Sequence, residues 1–431
     1  MNKNKNLHWY ILASLTLAFC AGLYTKTEMT FVGFKFYDLY CFLGTMFLNG
    51  LKMLSIPLIV SSVISGITSM GSDQFIGKMG RRALTYYIVT TSLAVLVGII
   101  FINIIQPGYG INIESMHNPA LTEASAKLHA NFDSSTASNQ KQLANVFYQL
   151  LPNNIFQAAA EGKLLGVIVF SLLFGYFVLQ TKEKSRVILA DFWKAVFEAI
   201  MLCTMWFLKF TPIGVFGLVA KSTAETGFEA FVPLLEFFFT VIAALGFHSI
   251  VVLSLFLYFV GGVNPWLNFK ALLPALLTAF STSSSSASLP VTIECVEKNA
   301  GVSNKVSSFV IPLGATLNLN GTALYEGMAA IFIAQAYGLH IGIDKQVIIL
   351  FLALLTSIGV AGIPSASLVS ITIILTTIGL PVESIGLLMI TDRILDMFRT
   401  AVNVYGDGSR AVIIARSVGE KNVLNPKTVP T

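Results

Sequence analysis

The sequence is poor in charged residues, and this shortage excludes several classes of protein. Only 11% of the 431 residues are charged, whereas soluble proteins average about 25%. The mean hydropathy is +0.75. The net charge of +5 is spread too thinly to form a basic face, which excludes a nucleic-acid partner, and the composition excludes an ordinary soluble enzyme and a disordered chain. It predicts a polytopic protein surrounded by membrane lipids.

Cysteine is also scarce, and its spacing has no metal-binding or redox pattern. The cysteines lie far apart and form no CxxC pair; they are Cys20, Cys41, Cys203 and Cys295. The sequence therefore predicts neither a disulfide framework nor a zinc site, and we expect no cofactor. We interpret these cysteines as apolar packing residues.

Long apolar runs dominate the N-terminal part of the chain. A helix needs about 20 apolar residues to cross the hydrocarbon core. The predicted spans are 8–26, 40–68, 83–106, a bent region within 145–181, 188–220 and 231–261. Basic residues at the N-terminus and in the even-numbered links place these parts in the cytoplasm; they are Lys3, Lys5, Lys78, Arg81, Arg82, Lys182, Lys184 and Arg186. We interpret the polar stretch 107–143 as an external loop.

Two apolar stretches in the C-terminal part are interrupted by small polar residues. Residues 280–293 read FSTSSSSASLPVTI and residues 356–373 read TSIGVAGIPSASLVSITI. In each, a polar tip separates two arms that are short for a full crossing, which is typical of a re-entrant hairpin. Both contain Ser-Ala-Ser-Leu, at 286–289 and 365–368, and matching interrupted segments indicate a transporter with inverted repeats. The alternative is two helix pairs packed through small residues.

A third irregularity lies between these stretches. The apolar segment 304–337 contains the run GATLNLNGT from Gly314 to Thr322, whose asparagines and glycines are poor helix formers. A helix that breaks here frees backbone carbonyls, and such oxygens suit Na⁺ when the dipoles of the half-helices point at the same place. The alternative is a glycine kink in which neighbours satisfy the asparagines.

The last apolar helix, predicted over 383–417, carries a row of charged and polar residues, whereas residues 346–382 carry no charge. The row has spacings of 4, 3, 4 and 4 and consists of Asp392, Asp396, Arg399, Asn403 and Asp407. At about 100° per residue these side chains share an arc of roughly 80°, with Thr400 at its edge. Such a stripe must face protein or water. The alternative to a binding site is a self-neutralising ladder, since Asp396 and Arg399 are an i,i+3 pair.

The chemistry of this stripe matches an amino acid with an acidic side chain. The guanidinium of Arg399 suits a carboxylate, which it binds through two parallel hydrogen bonds, and the carboxylate of Asp396 suits an ammonium group. Backbone N–H groups at the serine-rich tip suit a second carboxylate. Asp407, beside Asn403 and the 314–320 break, is then left to bind a cation.

In combination these motifs resemble the dicarboxylate/amino acid:cation symporter family, which contains glutamate/aspartate transporters and excitatory amino-acid transporters. The serine-rich tip, the NxxGT element from Asn318 to Thr322, the Gly-Ile-Pro second tip and the run DMFRTAVNVYGD from Asp396 to Asp407 occur in the family's order and spacing. The resemblance covers essentially the whole chain. It implies a secondary-active symporter, not an enzyme, that imports L-glutamate or L-aspartate with Na⁺, H⁺ or both.

The resemblance also implies a fold and an assembly. The expected fold is all-α, with eight transmembrane helices and two re-entrant helical hairpins arranged as inverted repeats, in a homotrimer that works as an elevator. Its implied parts are a scaffold at 1–82 (TM1–TM2) and 107–225 (loop, TM4–TM5), a transport domain at 83–106 (TM3) and 226–420 (TM6, both hairpins, TM7, TM8), and a tail at 421–431. We expect a multi-pass cell-membrane protein, of a bacterial inner membrane, with both termini in the cytoplasm.

Roles for individual residues follow from the same resemblance. Arg399 would hold the side-chain carboxylate of the substrate and Asp396 its amine. Further substrate contacts would come from Thr400, Asn403, Thr322, Ser284 and Ser285, and from the backbone of Gly362 and Ile363 at the second tip, which would close as the external gate. The implied sodium ligands form three sets: Asp407 with the carbonyls of Gly314, Asn318 and Asn403; the carbonyls of Thr316, Ser357, Ile358 and Val360; and a deep set of Tyr87, Thr90, Thr91 and Asn320.

Three departures from the family's pattern affect coupling and charge balance. The family usually has Asp at the position of Asn320, and a neutral amide weakens a cation site. Ser283 and Met397 stand where other members carry an extra arginine, so that Arg393 is the candidate for the balancing charge. Glu326 matches a glutamate that serves proton coupling in the animal members, since a buried carboxyl group can carry a proton. The alternative is a hydrogen-bonded structural glutamate.

Other functions fit the sequence less well. Carriers of C4-dicarboxylates lack an amine partner such as Asp396, and carriers of neutral amino acids lack an arginine such as Arg399. An intramembrane serine hydrolase would use the serines of 281–286, but it needs a positioned base, and of the histidines only His248 lies plainly mid-membrane. An ion channel needs a selectivity ring, which a stripe of mixed charge does not provide.

Overall fold

A computed structural model describes residues 7–31, 34–68, 74–110, 148, 150–161, 164–226, 231–359 and 367–424. Within these ranges the chain is helical apart from a short ribbon, in which β1 (Thr30–Phe31) pairs antiparallel with β2 (Phe34–Lys35). The helices of the N-terminal half are α1 (Leu7–Thr25), α2 (Phe36–Thr68), α3 (Gln74–Ile105), α4 (Ile155–Ala160), α5 (Leu164–Gln180), α6 (Glu183–Phe207) and α7 (Thr211–Thr226).

The C-terminal half consists of shorter, interrupted helices and one long last helix. They are α8 (Phe231–Phe247), α9 (Leu253–Phe259), α10 (Pro265–Thr282), α11 (Ser285–Glu294), α12 (Asn304–Leu317), α13 (Asn320–Ala336), α14 (Ile343–Gly359), α15 (Ser367–Ile378) and α16 (Ile385–Ser417). A π-helical turn, His248–Val252, joins α8 to α9, and a second, Cys295–Asn299, follows α11.

The observed helices differ from the predicted spans at two places. The prediction of one helix over 188–220 was wrong: α6 and α7 are separate and bent by 56°. Pro212 at the start of α7 explains the bend, because proline lacks an N–H and clashes with the preceding turn. In addition, α3 begins at Gln74, before the predicted start at 83. Arg81 and Arg82 therefore lie on this helix and not in a link.

Several described helices are apolar and long enough to cross a membrane. Met79–Tyr109 and Val232–Phe259 qualify as continuous helices, and the bent pair α6–α7 adds a third candidate span. The apolar stretches Ala13–Thr25, Ile56–Thr68 and Gly166–Gln180 are shorter. The predicted external loop 107–143 lies almost entirely outside the described residues.

Helix α13 is the centre of the molecule. Each of its residues, from Asn320 to Ala336, is buried, and α3, α8, α14, α15 and α16 pack around it. A helix that is buried on all sides has no solvated face, so every polar residue on it needs a partner inside the protein. The polar N-terminus of α13 therefore brings the predicted break into the protein interior.

The helices fall into two groups by their contacts. In the first group α2 packs against α5, α6 and α7, and α1 packs against α7. In the second group α3 and the helices from α8 onward surround α13 and α16. The groups meet where α2 and α5 contact α14 and where α7 contacts α16.

The two interrupted stretches each consist of a pair of packed helices. Helix α10 ends at Thr282, Ser283 adopts a left-handed conformation (φ 50°), and Ser284 caps α11 by accepting a hydrogen bond from the N–H of Ala287 at 3.2 Å. Asn299 donates to the carbonyl of Ala271 at 2.9 Å, so the second arm returns along the first. Helices α14 and α15 also pack together, and the tip between them, 360–366, lies outside the described residues.

Candidate functional site

The polar stripe of α16 faces the protein interior. Arg399 is fully buried and Asp407 is 1% exposed; the other members are buried as well, namely Asp392, Asp396, Thr400 and Asn403. Helices α10, α12 and α13 pack against α16. Because buried charged groups are rare unless they are paired, the partners of each side chain determine what the stripe can do.

The break predicted around 314–322 is present and lies against this stripe. Helix α12 ends at Leu317, and Asn318 and Leu319 have non-helical backbone angles before α13 begins. Two glycines allow the close approach of the chains: a Cβ on Gly314 would lie 2.5 Å from Oδ1 of Asp407, and a Cβ on Gly321 would lie 2.7 Å from the carbonyl oxygen of Arg399. The sequence therefore breaks the helix where it meets α16.

Arg399 is at the centre of the N-terminal half of the stripe. Its Nη2 donates to Oδ1 of Asp392 at 2.8 Å and to Oδ1 of Asp396 at 3.0 Å. Its Nη1 donates to Oγ of Ser367 at 2.9 Å, and its Cζ lies 3.9 Å from the centroid of the Tyr325 ring, a cation–π contact. Nε of Arg399 is buried and has no acceptor among the described residues.

Asp396 has neighbours on both sides. Besides its bond from Arg399, its Oδ2 lies 3.6 Å from Nη1 of Arg393, and its carbonyl accepts the hydroxyl of Thr400 at 2.7 Å. Asp392, Arg393, Asp396 and Arg399 carry two negative and two positive charges, so the group is neutral overall. The i,i+3 pair of the ladder interpretation is thus present, but that interpretation leaves the N–H of Arg399 Nε without an acceptor.

Asn403 joins α16 to the start of α13. Its Oδ1 accepts the backbone N–H of Gly321 at 2.7 Å, and its Nδ2 donates to Oγ1 of Thr322 at 3.0 Å. The first of these bonds satisfies one of the N–H groups that a helix start leaves without an intrahelical partner. Asn403 and Thr322 are therefore held as a pair at the start of α13.

The second helix pair contacts Arg399 directly, and the first packs against the same helix at Phe398. Ser284 and Ser285, at the first tip, are buried, and Phe280 packs edge-on against Phe398 with ring centroids 5.0 Å apart. From the second pair, Ser367 contacts Arg399 directly. Among the predicted residues of the second tip, Gly362, Ile363 and Val360 lie outside the described residues, whereas Ser357 and Ile358 belong to the end of α14. Thr316 is half-buried and bonds the carbonyl of Pro312.

A second polar group, which we name the deep cluster, lies at the C-terminal end of the stripe. It consists of Tyr87, Thr90, Thr91, Asn318, Asn320, Asp407 and Arg410, all of which are buried. Thr91 donates to Oδ1 of Asn320 at 2.7 Å and is 3.2 Å from Oδ1 of Asn318. Asn318 donates to Oδ1 of Asp407 at 2.8 Å. The side chains of the predicted deep sodium site are thus brought together.

Arg410 completes the deep cluster. Its Nη1 donates to Oδ1 of Asp407 at 3.1 Å, its Nε donates to Oγ1 of Thr90 at 3.1 Å, and its Cζ lies 5.1 Å from the centroid of the Tyr87 ring. The hydroxyl of Tyr87 in turn donates to the carbonyl of Val310 at 2.9 Å. The guanidinium is fully buried, so the deep cluster holds a positive charge of its own.

Glu326 lies in the second turn of α13 and is fully buried. Oγ1 of Thr356 donates to its Oε2 at 2.8 Å. The contact links α13 to α14, the first arm of the second helix pair. The carboxyl group of Glu326 is therefore held at the junction of these two helices.

Several site residues were missed by reasoning from the sequence. Arg410 follows Asp407 by three residues and falls in the same arc of the helix, so extending the stripe by one step would have found it. Ser367 and Tyr325 reach Arg399 from other helices, and His248 comes within 3.4 Å of Nδ2 of Asn320 through Nε2. These contacts depend on tertiary packing and leave no periodic signal in the sequence.

Comparisons with known proteins identify the family. The sequence signature of the sodium:dicarboxylate symporter family matches residues 7–417. The chain is 36% identical to a proton/sodium-glutamate symport protein of Geobacillus stearothermophilus, with 88% of each chain aligned, and 31% identical to a proton/glutamate-aspartate symporter of Escherichia coli, with 95% of this chain and 92% of that one aligned. It is 37% identical to excitatory amino acid transporter 1 of Ambystoma tigrinum, over 90% of this chain and 78% of that one. The chain is therefore a multi-pass membrane transporter, not an enzyme, and belongs to the sodium:dicarboxylate symporter family.

Proposed function

We propose that this cation-coupled symporter imports L-glutamate and L-aspartate. The observation that carries the proposal is the buried guanidinium of Arg399, whose Nε has no acceptor in the described part of the chain. A buried donor without an acceptor costs about 1–3 kcal/mol, and the carboxylate of a substrate would supply the missing acceptor. Arg399 is buried and bonded to Ser367 of the second helix pair, which supports a binding site that closes around a small acidic molecule.

The carboxylates beside Arg399 favour an amino acid over a dicarboxylate. Asp392 and Asp396 share Nη2 of Arg399, so Asp392 can hold the guanidinium in place while Asp396 turns to an ammonium group. A dicarboxylate such as succinate has no ammonium group and would place a further negative charge beside Asp396. In this proposal Thr322, Asn403 and Thr400 contact the substrate at its side, and Ser284, Ser285, Gly362 and Ile363 contact it from the two tips.

Cations would enter with the substrate. We assign one sodium site to the carboxylate of Asp407 with the backbone carbonyls of Gly314, Asn318 and Asn403. A second uses the carbonyls of Thr316, Ser357, Ile358 and Val360 and forms only when the second tip is closed. Glu326 is the proposed proton carrier, because it is buried and bonded to Thr356 on the moving arm. Coupling is then to Na⁺, to H⁺ or to both.

The two groups of helices support a division into a scaffold and a moving part. In this proposal 1–82 and 107–225 form the scaffold, and 83–106 and 226–420 carry the substrate across the membrane as one body, in an elevator movement. The contacts of α2 with α5, α6 and α7 fit such a scaffold, although α3 begins at Gln74, before the proposed boundary. We further propose a homotrimer in a cell membrane, such as a bacterial inner membrane, with both termini and the tail 421–431 in the cytoplasm.

Uptake into proteoliposomes tests this function. Labelled L-glutamate and L-aspartate are supplied under an imposed Na⁺ gradient, an imposed H⁺ gradient, or neither. We expect uptake against a concentration gradient with at least one of the ions, and its loss in Arg399→Cys, with Arg416→Cys as the control on the exposed end of the same helix. Strong competition by succinate or L-serine, or retained uptake in Arg399→Cys, would contradict the proposed substrate.

A further inference from the structure

Arg410 places a permanent positive charge among residues that resemble a sodium site. The guanidinium stays protonated in proteins and is fully buried here. It contacts Asp407, Thr90 and the ring of Tyr87 at the distances given above. Gly406 leaves room for it, since a Cβ there would lie 3.0 Å from Nη2 of Arg410 and 3.4 Å from Nδ2 of Asn320.

Three side-chain oxygens of the deep cluster accept hydrogen bonds from N–H or O–H donors. Oδ1 of Asp407 accepts from both Arg410 and Asn318, and Oγ1 of Thr90 accepts from Nε of Arg410. Oδ1 of Asn320 accepts from Thr91. A sodium ion needs several oxygen lone pairs directed at one point, whereas these oxygens already point at donors. The side-chain oxygens that would form the deep sodium site therefore do not fit a sodium ion while Arg410 is in place.

The charges of the cluster lead to the same conclusion. Asp407 and Arg410 are its charged members among the described residues, and they neutralise each other at 3.1 Å. Asn320 is neutral where the family usually has Asp. A Na⁺ bound to Tyr87, Thr90, Thr91 and Asn320 would add a second positive charge beside the guanidinium of Arg410 in a buried place, which costs free energy because the neutral Asn320 brings no carboxylate to balance it.

We propose that Arg410 acts as a built-in cation that takes the place of a sodium ion at Tyr87, Thr90, Thr91 and Asn320. The proposal rests on the transport function and concerns its coupling: one fewer Na⁺ crosses with each substrate molecule than a free deep site would require. The inference does not affect sodium binding at the second tip. The proposed sodium site at Asp407 also remains, because it uses backbone carbonyls and the carboxylate oxygen Oδ2, whereas Arg410 and Asn318 both donate to Oδ1.

Sodium-dependent thermal stability tests this without any transport assay. The melting temperature of the purified full chain in detergent is measured in NaCl and in N-methyl-D-glucamine chloride, and the difference isolates the effect of sodium, because a ligand that binds the folded state raises it. Thr91→Val removes an implied ligand that does not contact Arg410. We expect the same sodium-induced shift as in wild type and in Thr85→Val, an exposed control on α3. A smaller shift in Thr91→Val alone would overturn the proposal.

Removing the built-in cation should create a sodium requirement. In the double variant Arg410→Gln/Asn320→Asp, we expect a lower melting temperature without sodium and a steeper rise with the logarithm of sodium concentration than in wild type. Arg410→Lys keeps the charge and should keep the wild-type slope, and Arg416→Gln is the exposed control. If the double variant does not fold, the Thr91→Val comparison still decides. An unchanged slope in a folded double variant would overturn the proposal.

The same variants separate this inference from the proposed function. If wild type fails to transport glutamate but its sodium response is insensitive to Thr91→Val, the substrate proposal fails and the role of Arg410 stands. If glutamate uptake is found and Thr91→Val weakens the sodium response, the role of Arg410 fails and the substrate proposal stands.

Discussion

The hydroxyl of Ser367 accepts a hydrogen bond from Nη1 of Arg399 at 2.9 Å. Ser367 is the first residue of α15, directly after the second tip, and Arg399 lies in the middle of α16. The bond therefore links the arm that is proposed to gate the site to the residue that is proposed to bind the substrate. Through this bond, the position of the second tip can depend on whether Arg399 binds a substrate.

Ser367→Ala removes this link and should weaken substrate binding. A hydrogen bond to a charged group contributes about 1.5–3 kcal/mol, which corresponds to a rise of roughly tenfold or more in the KM of glutamate uptake. Thr376→Val is the control, because Thr376 is exposed on the same helix and bonds only the carbonyl of Thr372 among the contacts described. Equal KM values for Ser367→Ala and the control would show that the link has no role.

Arg399→Lys keeps the positive charge and tests the geometry of the guanidinium. Lysine has a point-like ammonium group and cannot bond Asp392, Asp396 and Ser367 while also presenting a donor to a carboxylate. We expect glutamate uptake to fall by more than about tenfold, since the lost charge-assisted bonds exceed about 1.4 kcal/mol. Initial uptake rates of Arg399→Lys and Arg416→Lys at equal protein density check this, and equal rates would contradict it.

Gly314→Ala tests the close packing of the break against α16. The added Cβ would lie 2.5 Å from Oδ1 of Asp407, so either the break or the carboxylate must move. We expect a lower melting temperature and lower uptake. Gly246→Ala on α8 is the control, because nothing lies within 4 Å of its added Cβ, and it should keep or slightly raise stability, since alanine is the better helix former. Equal behaviour of the two variants would refute the packing argument.

Glu326→Gln tests the proposed proton carrier. The side chain keeps its size and its contact with Thr356 but can no longer carry a transported proton. We expect uptake driven by an imposed H⁺ gradient to be lost, while sodium-driven exchange of labelled for unlabelled glutamate continues. Glu236→Gln on α8 serves as a control outside the site. Proton-driven uptake that survives in Glu326→Gln would make Glu326 a structural residue.

The sequence predicted those features that repeat or interrupt a pattern. The stripe on α16 follows from helical spacing alone, and the break at Asn318 and Leu319 follows from residues that disfavour a helix. The serine tip at Ser283 and Ser284 was equally visible, because polar residues interrupt an apolar run. In each of these cases the signal is local, and the structure places the residues as the local signal requires.

Contacts between distant segments could not be predicted in this way. The approach of Ser367 and Tyr325 to Arg399 depends on how α13, α15 and α16 pack, and no spacing encodes it. The break between α6 and α7 was also missed, because the apolar run continues through Pro212 and its composition resembles that of a continuous helix. Arg410 was missed although its spacing was visible, since a charge near a helix end is usually a solvated one.

Binding of four ligands to the purified protein tests the central claim that Arg399 and Asp396 form a site for acidic amino acids. Isothermal titration calorimetry measures the binding of L-glutamate, L-aspartate, succinate and L-serine to wild type and to Arg399→Cys. Each titration is made in a buffer that contains sodium and in a buffer of low pH. The account predicts binding of the two acidic amino acids to wild type, much weaker binding of succinate and L-serine, and loss of glutamate binding in Arg399→Cys. Tighter binding of succinate than of L-glutamate, or unchanged glutamate binding in Arg399→Cys, would contradict it.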